Sequence, residues 1–433
     1  MYGRMLGLRT FLIAAGFCAA VATAQAQDAA SDAGTRISAD APEANPDSGM
    51  VMTGAFGRYP MTREASGTSW QPDASPHEGV TSVAGAWMVM THATLNAVYD
   101  AQGGPRGDDK AFLAGMVMVM AQRQTGDGGT IGLRAMLSPD PIMGPSGYPL
   151  LLATGETADG VHHLVDRQHP HDLFMELSAS YSRPVSADAG IYVYAGLPGE
   201  PALGPPAFMH RLSGMDSPEA PITHHWLDST HITFGVVTAG VTSGPFKLEG
   251  SVFNGREPDE HRWDIEARPL KSWSGRLSWN PTSDLSFQVS GGHLVSPEEL
   301  EPDVNEDRLS ASANYTRTFG AHGVWSTTLA FGRKMEAPGP NLDGWLLESA
   351  VMPDDRWTIF GRAELVEENE LVEDAPLYTV GKLSVGVIYD IRVAAHWKVG
   401  LGGLVSRYRI PDGLKPLYGA PASGMGFVRL KLS

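Results

Sequence analysis

The sequence predicts an all-β fold, a transmembrane antiparallel β-barrel of about sixteen strands, with fourteen to eighteen allowed. Three observations carry that expectation. Beyond the N-terminal leader, apolar residues recur at every second position in run after run, as in strands with one face in lipid. The connections between runs alternate between short and long, and in outer-membrane barrels periplasmic turns are short while extracellular loops are long. Nowhere past the leader do roughly 18 apolar residues follow one another, so in a membrane only a closed barrel would satisfy the backbone.

At the N-terminus, Arg4 and Arg9 precede an apolar stretch from Leu12 to Val21 and the small-residue pattern Ala24-Gln25-Ala26. This is the pattern of a secretory signal peptide over residues 1–26. The single cysteine, Cys18, lies inside it and follows Phe17, which does not suit a lipoprotein signal, so neither disulfide nor thiolate chemistry is expected in the mature chain. Cleavage removes two of the 32 cations and none of the 49 anions, so a net charge of -17 becomes -19, which argues against a nucleic-acid partner. Residues 27–64 read as a disordered acidic leader, because 28–50 are rich in Ala, Asp, Pro and Ser without an apolar face. The barrel domain is assigned to 65–433. Residues 51–83, with Trp70, lack alternation and fit the periplasmic mouth or the lumen equally.

The first eight strands are expected at about 84–99, 111–122, 130–138, 172–182, 189–196, 229–240, 244–254 and 272–280. The second eight follow at about 284–294, 307–318, 323–333, 342–351, 356–367, 378–390, 393–405 and 424–432. In the first, Trp87, Val89, Ala93, Leu95, Ala97 and Tyr99 are assigned to lipid, and Met88, Met90, His92, Thr94 and Asn96 to the interior. Leu173, Met175, Leu177, Ala179 and Tyr181 oppose Asp172, Glu176, Ser178 and Ser180 in the same way. The pattern returns at Trp325, Thr327, Leu329 and Phe331, at Trp357, Ile359, Ala363 and Leu365, and at Ala395, Trp397, Val399 and Leu401. Trp and Tyr near run ends suit the two aromatic girdles of a membrane barrel.

Short connections at 126–129, 242–245, 280–284, 352–355 and 389–392 alternate with long ones at 139–171, 197–228, 255–271, 295–306, 368–377 and 406–423. That parity requires an even strand count with both termini periplasmic. A soluble sandwich or propeller also uses short alternating strands, but its outward positions would carry charge, and the outward positions here almost never do. The final run, Gly426, Val428, Leu430 and Leu432, alternates correctly but ends in Ser433, where many bacterial barrels end in an aromatic residue.

Eight of the fourteen histidines fall between 162 and 231, on two long connections that parity places on one side of the membrane. The candidate metal ligands are His162, His163, Asp166, His169, His171 and Asp172 on the first connection, and Met209, His210, His224, His225, Asp228 and His231 on the second. Imidazole with carboxylate suits Zn, Cu, Ni or Fe, and thioether sulfur adds a preference for Cu(I), so copper and zinc are the candidate ions. Met215 and the inward Met88, Met90, Met116, Met118 and Met120 make a metal-conducting lumen chemically available. The plainer reading assigns these histidines and aspartates to loop hydrogen bonds and the methionines to apolar filling. The spacing matches no closed zinc template.

A barrel-embedded lipase or esterase using Asp228, Ser229 and His231 is the alternative, since Ser229 and His231 share a face if the segment is extended. No Gly-x-Ser-x-Gly elbow singles out a serine, and no catalytic residue is assigned. The Pro-dense stretch 196–207 reads as a rigid loop that could constrict the lumen.

The stretches Asp166-Arg-Gln-His-Pro-His-Asp172, Gly199-Glu-Pro-Ala-Leu-Gly-Pro-Pro-Ala-Phe-Met-His-Arg211 and Ala220-Pro-Ile-Thr-His-His-Trp-Leu-Asp-Ser-Thr-His231 resemble an uncharacterised, porin-like family of proteobacterial outer-membrane β-barrel proteins with His-rich loops. The resemblance covers about residues 65–433 and implies fold and outer-membrane location, not a ligand. The expected function is a pore or surface barrel whose His/Asp/Met-rich loops constrict the lumen or bind transition-metal ions. Its expected partners are outer-membrane lipid and metal ions or small solutes. Oligomeric state stays open, with a trimer among the options by analogy of size.

Overall fold

The computed structural model describes residues 53–372 and 377–432; the signal peptide, Cys18 and the leader up to residue 52 lie outside the described residues. Its strands are β1 (Val80–Ala84), β2 (Trp87–Ala101), β3 (Asp109–Gln124), β4 (Thr130–Leu137), β5 (Tyr148–Thr157), β6 (His163–Gln168), β7 (Phe174–Pro184), β8 (Ala189–Gly196), β9 (Val236–Ser243) and β10 (Phe246–Phe253). The chain continues through β11 (Ser272–Thr282), β12 (Leu285–Leu294), β13 (Asn305–Phe319), β14 (Gly323–Ala337), β15 (Asn341–Met352), β16 (Trp357–Glu368), β17 (Tyr378–Ala394), β18 (Trp397–Arg409) and β19 (Ala422–Leu432). Two single-turn helices, α1 (His224–Leu227) and α2 (Lys415–Tyr418), lie in long connections.

Sixteen of these strands form a closed antiparallel barrel. Each wall strand pairs with its neighbour in the chain, except that β4 pairs with β7 across an inserted hairpin, and β19 closes the ring on β2 from Leu432↔Ala93 to Gly424↔Ala101. Where β19 stops, β1 takes over the same edge of β2, pairing Val80 with Thr91 and Ala84 with Trp87. Closure leaves no unpaired wall edge, which is what lipid demands.

The alternation sorts the wall as its chemistry requires. Leu248, Leu277, Val289, Leu329, Leu347, Val385 and Leu401 are exposed on the outer face, an apolar belt unsuited to water and suited to a bilayer. Exposed Trp279, Trp325, Trp357 and Trp397 stand beside the short turns, and Trp273 and Trp345 lie toward the opposite rim, giving two girdles. Inward positions of the same strands bury Lys247, Glu249, Arg276, Glu348, Arg362, Lys382 and Arg429.

The lumen is filled by the protein itself. Residues from Thr53 onward enter from the short-turn side, and Phe56, Tyr59 and Trp70 pack against Tyr192, Tyr194, Leu203 and Phe253. The segment 53–64, expected within the leader, is thus seated in the barrel, where Glu64 pairs with the wall residue Arg134 at 3.2 Å. The connection 138–173 folds inward as the hairpin of β5 and β6, which the sequence leaves as loop because both faces of β5 are buried and no alternation shows. The connection 197–235 crosses the interior and is tied to the wall: Arg211 meets Glu348 at 2.5 Å, Lys382 meets Glu219 at 2.5 Å, and Asp216 pairs with Arg429.

Two sequence expectations change here. Met175 does not face lipid: the register slips between Met136 and Leu137, and the displaced Met175 packs inside with Met116, Met118 and Met136. Residues 229–235 do not begin a strand. Ser229–His231 form a helical turn, and Ile232 and Phe234 join the interior methionines before β9 starts at Val236.

Candidate metal centre

Two inward folds meet around five imidazoles. His169 and His171 follow β6, and His224, His225 and His231 sit on and just after α1. Ring centroids lie 5.1 Å apart for His224 and His231, 5.2 Å for His171 and His231, 5.4 Å for His224 and His225, and 5.6 Å for His169 and His225. Phe208 covers one side, 5.5 Å from His224 and 6.0 Å from His171. A cavity of about 50 Å³ adjoins, lined by His169, His171, Met116, Met209 and Met215 among others.

Each imidazole is held by Nδ1. That nitrogen meets Glu156 Oε2 at 3.2 Å in His169, Asp140 Oδ2 at 2.7 Å in His171, Asp228 Oδ1 at 2.8 Å in His224 and Glu257 Oε1 at 3.1 Å in His225. In His231 it donates to the Asp228 carbonyl at 2.7 Å. The five Nε2 atoms are buried and have no hydrogen-bond partner among the described residues. An oxygen on Nδ1 fixes the tautomer that leaves Nε2 as a lone-pair donor, the arrangement in which a ligating histidine meets a metal.

The local backbone is shaped for this contact. Gly155 is left-handed at φ 102°, and a Cβ there would lie 2.7 Å from Cε1 of His225, so only glycine admits the ring. Glu156 follows at φ 59°, a conformation that costs a non-glycine residue about 1–3 kcal/mol and persists only where contacts hold it. Those contacts are His169 and a buried Arg262, which also meets Asp172 at 3.4 Å.

Burial lowers the proton affinity of His169, reinforced by Arg262 and the neighbouring imidazoles; it also lowers that of His231, and that of His224 despite Asp228. These rings are therefore neutral at pH 7. Burial opposes ionisation of Asp228, but His224 and Arg211 outweigh it and hold the carboxyl well below its usual range. Burial lifts Asp172 to about 7 against the pull of Arg262.

The remaining candidates are dispersed. His162 is surface-exposed and pairs with Asp159 at 2.8 Å, and Asp166 accepts from Tyr418 at 3.0 Å and the Leu152 amide at 2.8 Å. His163 stands with Glu298 and Glu370, their donor atoms within 4.8 Å of one another. His210 points Nε2 at Met136 Sδ, 3.3 Å away, and burial pushes it down to about 3. Sequence reasoning missed the orienting residues Asp140, Glu156 and Glu257, each far from its histidine in the chain. The serine of the hydrolase alternative is engaged elsewhere: Ser229 Oγ accepts from Arg308 at 2.9 Å, and His231 Nδ1 faces a carbonyl.

No family model and no curated protein matches the chain. Among solved structures, OmpF of Salmonella typhi in complex with daunomycin superposes with a TM-score of 0.52 at 7% identity, covering 82% of this chain and 100% of that one. OprB of Pseudomonas putida at high pH gives 0.51 at 8% identity, covering 80% and 94%. The fold is that of an outer-membrane porin. Within this porin-fold barrel, the five-imidazole centre stands on connections that fill the lumen.

Proposed function

We propose that this barrel binds a transition-metal ion inside its lumen through His169, His171, His224, His225 and His231, and that it handles such ions at the outer membrane. The observation that carries the reading is five buried Nε2 atoms without a partner among the described residues, each on a ring whose other nitrogen is held by oxygen. A buried polar atom without a partner costs about 1–3 kcal/mol, and five around one space make a ligand the economical explanation. Neutral nitrogen donors suit Zn(II) or Cu(II). The donor atoms are more widely spaced than in the compact triad His163, Glu298 and Glu370, so a single ion draws the rings inward on binding.

Three inward segments occupy the lumen, so the species this reading passes is a stripped ion and not a hydrated solute. The test is metal content of purified protein after Zn(II) or Cu(II) loading, compared with His169→Ala plus His225→Ala. Loss of bound metal with an intact barrel is expected; undiminished loading of the double variant removes the reading.

A further inference from the structure

We infer that the lumen holds a second metal site, of different chemistry, on the short-turn side of the five-imidazole centre: a thioether and imidazole site for a soft monovalent cation, Cu(I) or its redox-inert stand-in Ag(I). Met90, His92, Met118, Met120 and His210 line one cavity of about 70 Å³. The His92 and His210 rings stand 5.9 Å apart, and His210 Nε2 meets Met136 Sδ at 3.3 Å.

Ligand chemistry separates this place from the centre above it. There every imidazole leans on an oxygen, which strengthens its donation to a divalent ion. Here, among the described residues, the one hydrogen bond from either ring goes to sulfur. Glu64, Glu78 and His77 also line this cavity, but Glu64 is paired with Arg134 at 3.2 Å, Glu78 with Lys431 at 2.6 Å, and His77 Nε2 with the Met61 carbonyl at 3.1 Å. The donors left to an ion are thioethers and the two imidazoles, a set that favours Cu(I) over Zn(II) because soft donors select soft ions.

Methionine as filler is the competing account, and it explains Met175, which packs among apolar side chains and other thioethers. It does not explain two imidazoles set among the sulfurs without oxygen partners, since a buried ring used for packing alone forfeits its hydrogen bonds. Position adds to this. The cavity beside the five-imidazole centre and this one share Met215 in their walls, and the inward β3 residues Met116 and Met118 line one each. The two sites are therefore successive stations along one strand, about 7 Å apart by strand rise. No electron transfer is part of the proposal, and it does not require the five-imidazole centre to bind.

The test uses full-length protein in detergent, titrated anaerobically with Cu(I) against a chromophoric Cu(I) chelator and separately with Zn(II), with X-ray absorption at the copper edge. Wild type is expected to show sulfur scatterers around Cu(I). Met118→Leu plus Met136→Leu, which conserves volume, is expected to lower the number of sulfur scatterers and weaken Cu(I) binding at least 100-fold while Zn(II) loading stays unchanged. His169→Ala plus His225→Ala is expected to keep the sulfur scatterers, so failure of the upper centre and failure of this site are read separately. Copper bound by nitrogen and oxygen alone in wild type overturns the proposal without any variant needing to fold, as does unchanged Cu(I) affinity in the double-leucine variant.

Discussion

Glu257→Gln is the sharpest probe of the five-imidazole centre, because Glu257 reaches it only through His225. Its Oε1 lies 3.1 Å from His225 Nδ1, and its other oxygen is buried without a partner among the described residues. The amide can still accept from Nδ1 and keep the ring's tautomer, but it removes the negative charge that makes the imidazole a stronger donor. Loss of such an orienting contact typically weakens metal affinity 10–100-fold, or about 1.4–2.8 kcal/mol. His225→Ala removes a ligand outright and is expected to cost more. Since the carboxylate works through that ring, Glu257→Gln in the His225→Ala background should cost almost nothing further, a non-additivity that a double-mutant cycle reads directly. Competition titration of Zn(II) on the four proteins supplies the numbers. Equal effects of Glu257→Gln with and without His225, or no effect in either, would refute the claim that this histidine is an oriented ligand.

Arg211 bridges plug and wall, meeting Glu348 at 2.5 Å and Asp228 at 3.0 Å, all buried, so Arg211→Met should destabilise plug docking by about 3–5 kcal/mol; the readout is new conductance steps in planar bilayers, and a trace as quiet as wild type counts against the anchoring role. Glu200 is pushed up to about 8 by burial, against Arg276, from an ordinary value of 4.5, so the folded state holds a proton that the unfolded chain has lost. Its stabilisation is complete below about pH 4.5 and lost as pH rises to about 8, by up to about 1.4 kcal/mol per pH unit; Glu200→Gln should flatten that slope in urea titrations. Val385 is exposed on the lipid face of β17, so Val385→Arg should cost about 2–4 kcal/mol of barrel stability, seen as loss of the heat-resistant folded band on gels.

The wall was legible because the outward positions of its strands are consistently apolar, and most loop lengths repeat the alternation at a coarser scale. Where both faces are buried, as along Tyr148–Thr157, the rule has nothing to act on, and the hairpin stayed hidden. Ser229 and His231 imitate strand parity, yet α1 and the turn after it belong to the plug, so alternation there was coincidental. Histidine density pointed to the right loops without separating members from bystanders. His162 and His169 look alike in sequence, and what distinguishes them is that Glu156 and Arg262 bury one while Asp159 keeps the other at the surface. The orienting carboxylates carried no local signal, because an acidic residue in a loop is ordinary until a fold sets it against an imidazole.

Charge on the inner wall takes a different meaning once the plug is in place. In an open pore, inward Arg, Lys and Glu would meet water and solute. Here Arg276, Glu348, Glu364, Lys382 and Arg429 instead meet plug groups: the Gly204 carbonyl, Arg211, the Thr223 amide, Glu219 and Asp216. Buried ion pairs contribute little net stability against apolar packing, but they fix position, since each misaligned pair leaves a charge stranded in the interior. Position is what a wide imidazole centre needs. Rings already oriented by oxygen and held on an anchored segment lose little freedom when an ion arrives, and that preorganisation raises affinity without adding contacts. The wall charges and the histidines are therefore two halves of one device: weakening an anchor such as Arg211, which also touches Asp228 beneath His224, loosens plug and ligand together.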